Sequence, residues 1–288
     1  MNIEKLALGT VQFGLDYGIN NSKGKPPEVK TFTILDEARR QGIERLDTAD
    51  VYGNAIDVIG RYHKNHDKFK ILNKFSFPDS NREIEDKVNS TLKKLRINAF
   101  DVYSYHSFKD FDNNSKTIEV LKKLKQEKLI NKIGISIYDN QEFKTAINSE
   151  AIDVIQIPYN ILDNNSIKGN LITKAKQNGK EIHARSIFLQ GLFFVDEIDI
   201  IPRLKPLAPY LKKIKDYCGR ENMLISELAL MYVISNPNID VVLMGVDSVE
   251  QLRINLDCIN FKHVKSIMEF VKTLDVKETK LLNPVNWK

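Results

Sequence analysis

Val154-Ile155-Gln156-Ile157-Pro158 opens a stretch that continues through an amphipathic segment, Ile167–Asn178, and stops at Gly179. It resumes as Glu181-Ile182-His183-Ala184-Arg185-Ser186. Two brief runs rich in β-branched residues flank one segment of helical period, which is the pattern of a βαβ unit with parallel strands. Strands this short and apolar read as buried on both faces, as they are under a layer of helices. The glycine falls where a helix needs a residue tolerant of positive φ in order to end.

The same unit repeats outward in both directions. The spacing predicts strands at Lys5–Gly9, Glu44–Thr48, Lys70–Lys74, Ala99–Tyr105, Lys132–Ser136, Val154–Pro158, Glu181–Ser186 and Val241–Met244. Helical periods lie between them at Thr31–Gln41 (stopping at Gly42), Asn81–Leu95 (after Pro78-Asp79-Ser80), Thr117–Glu127, Gln141–Asn148 and Ile167–Asn178. Two more cover Leu224–Ser235 and Ser248–Leu256. Regular alternation of eight strands with helices predicts the α/β class and a closed (β/α)8 TIM barrel. A barrel of this kind takes about 250 residues, so one such domain over residues 1–288 is expected. An open dinucleotide-binding sheet is disfavoured. The glycines of Gly9-Thr10-Val11-Gln12-Phe13-Gly14 have the wrong spacing, and loop signals rather than a helix follow them.

Composition narrows the function. The net charge is +5, from 43 Lys+Arg against 38 Asp+Glu, and pairs such as Lys122-Lys123 and Lys212-Lys213 sit on helical faces. No dense basic block interleaved with aromatics is present, so no nucleic-acid partner is expected. No apolar run reaches the roughly 18 residues of a membrane span. The first residues lead directly into a strand, which leaves no room for a signal peptide. Cys218 and Cys258 are the only cysteines, too few for a disulfide framework, and read as free thiols in a reducing cytoplasm. The oligomeric state is not legible.

In such barrels chemistry sits at the C-terminal ends of the strands. Asp47 ends the second strand and Tyr52 follows in the next loop. Lys74 ends the third strand, and His106 ends the fourth. Each has an ordinary reading: a cap for Asp47, loop packing for Tyr52, surface charge for Lys74, a hydrogen-bonded structural role for His106. Together they place a paired Asp and Lys beside a tyrosine. A phenol has a pKa of about 10, and a neighbouring cation is expected to bring it toward the working range of a general acid. A histidine could orient a carbonyl oxygen. None of the four supplies hydride, so a cofactor is required.

Leu46-Asp47-Thr48-Ala49-Asp50-Val51-Tyr52-Gly53 resembles the aldo-keto reductase family. So do Gly9-Thr10, Lys74, His106, Gly134-Ile135-Ser136, Gln156-Ile157-Pro158-Tyr159-Asn160 and the segment Gly245 to Asn255, in order over essentially the whole chain. The resemblance implies reduction of a carbonyl substrate to its alcohol, with Tyr52 as acid–base, Lys74 and Asp47 tuning it, and His106 orienting the carbonyl. It implies NADP(H) first and NAD(H) as an admissible second cofactor. Ser136 and Gln156 would hold the carboxamide, Gly9 and Thr10 would lie near the nicotinamide, and Gly245, Asp247, Gln251 and Asn255 would lie at the adenosine end.

Three departures qualify that picture. Ile137 stands where the family usually has an asparagine, and Arg185 where it usually has a stacking tyrosine. Arg185 could stack in its turn or reach a substrate carboxylate or phosphate, and the second use is favoured. The loop that often carries Lys or Arg for a 2′-phosphate carries Asp247, with Arg253 the nearby cation, so NADH is expected to be tolerated.

His63 and His66 are expected in a polar surface turn and not at a metal site. Gln190-Gly191-Leu192-Phe193-Phe194 is expected to line the pocket. Trp287 fits either the barrel mouth or an outer helix. The connecting loops look short, which predicts an open, polar mouth. Two other functions remain open: a dinucleotide-binding sensor or regulatory subunit, and a barrel isomerase or epimerase.

Overall fold

The structure is a computed structural model, and it describes residues 3–19, 21, 24–76, 81–112, 115–259 and 262–287. Met1-Asn2 and Pro78-Asp79-Ser80 lie outside the described residues. Eight parallel strands close into a barrel in sequential order: β1 Leu6–Gly9, β2 Arg45–Asp47, β3 Lys70–Phe75, β4 Phe100–Tyr105, β5 Ile130–Ser136, β6 Val154–Pro158, β7 Glu181–Arg185 and β8 Val241–Gly245. All eight predicted strands are present, and the eighth runs one residue further, to Gly245.

Helices follow the strands. Two precede β3, namely α2 Glu28–Arg40 and α3 Ala55–Tyr62, and before both comes the short α1 Val11–Gly14. Then come α4 Asn81–Leu95, α5 Phe108–Asp112, α6 Ser115–Gln126, α7 Asn140–Asn148, α8 Asn165–Gln177, α9 Ala208–Arg220, α10 Ile225–Ile234, α11 Val249–Asp257 and α12 Val264–Lys272. The two predicted glycine stops have one geometry. Gly42 (φ +87°) and Gly179 (φ +72°) each close a pair of backbone bonds, Ile43 N to Ala38 O and Gly42 N to Arg39 O, Lys180 N to Ala175 O and Gly179 N to Lys176 O. These are Schellman closures, which satisfy carbonyls the helix end would leave bare.

Each strand alternates, one face packing under the helices and the other filling the barrel. The inner side chains form layers. Ala7, Leu72, Val102, Val154, Val241 and Leu243 make an apolar cluster of their own, separate from the core under the helices. Above it the same parity carries Gly9, Asp47, Lys74, Ser136, Gln156, Arg185 and Gly245 toward the C-terminal end. Period two therefore decides the site: a residue two positions along from a barrel-filling valine faces the mouth.

The expectation of short loops does not hold. Between β1 and α2, and between β7 and α9, the chain makes long excursions containing short helical turns. These lean toward each other, and Ile19 N–H donates to the Gln190 carbonyl at 3.1 Å. The mouth is also apolar at its rim, where Leu15, Tyr17, Val51, Phe194 and Ile254 are exposed.

Candidate active site

A cavity of about 680 Å³ opens at the C-terminal end of the barrel. Every strand brings one predicted residue to its wall, at or within two residues of the strand's end. In strand order these are Gly9, Asp47, Lys74, His106, Ser136, Gln156, Arg185 and Gly245. Tyr52, Asp247, Gln251 and Asn255 line it too. Thr10 does not. It is fully buried, and its Oγ and backbone N–H both donate to the Asp47 carbonyl, at 2.9 and 3.0 Å, so it braces β2 from behind.

Asp47 is the hub. One carboxylate oxygen accepts from Lys74 Nζ at 2.5 Å and the other from Gln156 Nε2 at 3.0 Å. Lys74 also donates to the Thr48 carbonyl at 3.0 Å and is 2% exposed. Its ammonium lies 5.3 Å from the Tyr52 ring centroid. The His106 ring meets the Tyr52 ring edge-on, with centroids 5.8 Å apart.

Tyr52 is held by its neighbour's backbone. A side-chain carbon on Gly14 would fall 1.8 Å from the Tyr52 carbonyl oxygen, and one on Gly53 (φ +54°) would fall 2.3 Å from the Gly14 oxygen. The second glycine of Gly9…Gly14 thus makes room for the Tyr52 turn.

The electrostatics depart from expectation in one respect. Burial pushes the Tyr52 phenol well above its ordinary pKa, and the Asp47 carboxylate adds to the rise. Lys74 was expected to lower it, but its charge is neutralised at 2.5 Å by Asp47, and Arg185 supplies the opposing pull. Lys74 is itself pushed below the ordinary lysine value by burial, against the attraction of Asp47. Burial, with Lys74 and Arg185 adding to it, drives His106 down to about 4. The ring is therefore neutral at ordinary pH and still carries one N–H to donate.

The two departures from the family pattern turn out to be connected. Ile137 is fully buried in the outer core, but its carbonyl accepts from Arg185 Nη2 at 3.0 Å. Arg185 Nη1 donates to Ser186 Oγ at 3.1 Å, and the guanidinium lies 4.2 Å over the Tyr138 ring.

Several cavity residues were not anticipated, among them Gln12, Tyr17 and Tyr138. Tyr138 could have been found, since it lies two residues beyond Ser136 and so on the same side. Of the predicted pocket loop, Gln190, Gly191 and Phe194 line the cavity, while Leu192 and Phe193 are buried. Trp287 packs into the outer core, its Nε1–H donating to the Leu281 carbonyl at 2.8 Å. His63 is not on the surface. It is fully buried, Nδ1 on the Leu95 carbonyl and Nε2 accepting from Phe69 N–H, so both nitrogens serve backbone. His66 stacks on Tyr62.

A nicotinamide carboxamide fits this wall. Asp47 accepts only, so Gln156 must present its NH2 to it and turn Oε1 away. Among the described residues that oxygen has no partner in its buried setting, and neither has Gln12 Oε1; buried acceptors in this state call for a donor.

A barrel whose strand ends converge on a buried Asp–Lys pair, a tyrosine and a histidine defines a class of oxidoreductase. The sequence model of the Aldo/keto reductase family matches residues 5–276, and the chain belongs to that family. It is an NAD(P)-dependent oxidoreductase, and NADP(H) or NAD(H) is its cofactor. It is 25% identical to the NADH-specific methylglyoxal reductase of Escherichia coli, over 90% of this chain and 91% of that one. It is 24% identical to the uncharacterized oxidoreductase YqkF of Bacillus subtilis, over 92% and 90%. Its fold matches the holo form of aldo-keto reductase AKR11C1 from Bacillus halodurans with a TM-score of 0.73 at 22% identity, covering 96% and 95% of the two chains. Among the described residues no helix is long and apolar enough to cross a membrane.

Proposed function

We propose that this enzyme reduces an aldehyde or ketone to the alcohol, with Tyr52 delivering the proton to the carbonyl oxygen. The observation that carries the reading is the setting of the Tyr52 ring on the wall of the cavity, with the Lys74 ammonium 5.3 Å and the His106 ring 5.8 Å from its centre. Bound nicotinamide supplies the hydride to the carbonyl carbon. Ser136, Gln156 and Gly9 hold its carboxamide end, and Gly245, Asp247, Gln251 and Asn255 hold the far end.

The raised pKa of Tyr52 is compatible with that role. A raised pKa keeps the phenol protonated at every working pH, so the proton is present when the alkoxide forms. An alkoxide is a stronger base than a phenolate, and transfer still runs downhill. Lys74 then lies beside the phenolate that results. Neutral His106 donates its N–H to the carbonyl oxygen and sets its orientation.

On the cofactor, we infer that NADH is accepted. Arg253, the nearby cation, donates twice to Glu37 at 3.1 Å each. On α11 it points away from Gln251, Ile254 and Asn255, which line the cavity. A 2′-phosphate would meet Asp247 instead, whereas a 2′-hydroxyl could donate to it.

Turnover of a simple aldehyde with NADPH and NADH tests the proton donor. Tyr52→Phe is expected to lose about 10²–10⁴-fold in kcat while binding cofactor unchanged, the range for removing a general acid. Full activity in the variant would exclude Tyr52. Product formation without oxidation of cofactor would favour the isomerase, and tight cofactor binding without turnover the sensor.

A further inference from the structure

We propose that Arg185 recognises an oxyanion on the substrate, so that the carbonyl compounds this enzyme prefers carry a carboxylate or phosphate group. The inference rests on the reductase reading given above and adds the substrate class to it.

The charges on the cavity wall make the case. Asp47 and Lys74 cancel each other at 2.5 Å, and His106 is neutral. Arg185 remains. Its partners in the protein are a carbonyl, a hydroxyl and a ring, and among the described residues no carboxylate pairs with it. A half-buried cation without a counter-ion is costly unless a ligand supplies one.

The guanidinium is also held in place. The Ile137 carbonyl and Ser186 Oγ fix two of its N–H groups, and the Tyr138 ring covers one face at 4.2 Å. The backbone beneath is fixed as well. Tyr159 N–H donates to the Arg185 carbonyl at 3.1 Å, and Asn160 Nδ2 donates to the Ser186 carbonyl at 3.1 Å. Ser186 sits at φ +58°, an unfavourable conformation for a residue with a side chain, and these bonds hold it there. A guanidinium has five N–H donors in a planar fork, so donors remain for an oxyanion, and the fork matches carboxylate or phosphate geometry.

Position completes the argument. Arg185 ends β7 on the same wall as Tyr52 and His106, near enough for its charge to weigh on both. A substrate gripped by its anionic end at Arg185 would have its carbonyl within the reach of the proton donor. Ile137, buried in the outer core, is a positioning residue that aims the fork through its carbonyl, and Tyr138 covers one face of the guanidinium from the cavity wall.

Matched pairs of aldehydes test this on the wild-type protein: 4-oxobutanoate against its methyl ester, and glyceraldehyde 3-phosphate against glyceraldehyde. The anionic member of at least one pair is expected to have the higher kcat/KM, by about 10–100-fold, the range for one charge-assisted contact. Which pair responds separates carboxylate from phosphate. In Arg185→Gln the ratio within that pair should collapse toward one, and Arg185→Lys should recover only part of it, since a lysine keeps the charge but lacks the fork. Butanoate should inhibit the wild type competitively and butanol should not, a measurement that needs no variant. Equal use of both members of both pairs overturns the inference and leaves the reductase reading intact. So does an Arg185→Gln variant that weakens NADH binding in a fluorescence titration with the substrate ratio unchanged, because Arg185 would then serve the cofactor. Failure to reduce any aldehyde would instead sink the reductase reading.

Discussion

Charged residues cluster at both ends of the barrel, and the two ends treat them differently. At the N-terminal end Glu181 accepts from His183 at 2.8 Å and pairs with Lys132, while Arg45 faces Asp101 and donates to the Glu4 carbonyl. Burial would raise the Glu181 pKa, but His183 and Lys132 overcome it and hold the carboxyl at about 2. Each of these groups has its partner. At the C-terminal end, among the described residues, Gln156 Oε1, Gln12 Oε1 and His106 Nδ1 are buried with none, and no carboxylate pairs with Arg185. Buried polar groups are nearly always satisfied, so an end of the barrel that leaves several bare is built for what will enter it. The paired cluster of Glu181, His183 and Lys132 ties neighbouring strands together at the other end.

The comparison breaks most sharply at Asp47. Asp47→Ala leaves Lys74 buried and unpaired, which should cost about 3–5 kcal/mol of stability, the usual effect of removing one partner of a buried pair. Activity should fall with it. Adding Lys74→Met to that variant removes the stranded charge, and denaturant unfolding should then recover most of the stability while kcat stays low. Recovery of both would mean that the pair is structural only.

Gly14→Ala probes the same end without touching a charge. With the Tyr52 carbonyl oxygen 1.8 Å from the new carbon, the Tyr52 turn must shift. A displacement of about 1 Å costs roughly 10²-fold in rate. The kcat should drop by that order with cofactor affinity retained. Unaltered kcat would show that the Tyr52 turn tolerates the shift.

Glu181→Gln is the counterpart at the N-terminal end. It should lower stability by roughly 1–3 kcal/mol, as expected when the buried His183 loses a charged acceptor, and leave kcat/KM within about twofold, because the contact lies far below the cavity. Acid should act in two steps. His63 and His106 both have folded pKa values of about 4, below the unfolded value of about 6.5. The unfolded chain binds protons first, so stability falls as pH drops from about 6.5 to 4. The stability that Glu181 contributes is present above its unfolded pKa and is lost at lower pH, from about 4.5 toward 2. Urea midpoints measured at pH 7, 5 and 3 should trace both losses, with Glu181→Gln blunting only the second.

Much of this was legible before any coordinates. All eight strands follow from short apolar runs, because a parallel barrel buries each strand on both faces and leaves a local signature. The one-residue-per-strand rule at the mouth follows from period two. What the sequence hides is set by distance in space. Gly14 matters because Tyr52 lies against it, and nothing local in Phe13-Gly14 says so. Helix α3 is only eight residues long and begins directly after the Tyr52 turn, so its period is too brief to read. The Tyr52 pKa rises where Lys74 alone would lower it, for the same reason. A neighbouring cation is visible in sequence, but the burial that outweighs it is not. Ile137 and Arg185 read as two separate losses and form one contact.

The smallest effect concerns Glu37, which lies on α2 far from the chemistry. Arg253, Arg40 and Gln41 hold its carboxyl well below the usual carboxylate range, and Glu37 in return keeps Arg253 turned from the cavity. Glu37→Gln keeps the shape and gives up the charge that anchors Arg253. Since Arg253 is about half exposed, its release has only the small effect of breaking a solvent-screened surface ion pair. The ratio of NADPH to NADH dissociation constants, measured by fluorescence at fixed salt, should therefore move toward NADPH by about threefold to tenfold. The wild-type protein should bind NADH at least comparably. A strong wild-type preference for NADPH would mean that another group receives the 2′-phosphate. An unmoved ratio in Glu37→Gln would mean that the α11 backbone, and not the Glu37 carboxylate, sets where Arg253 points.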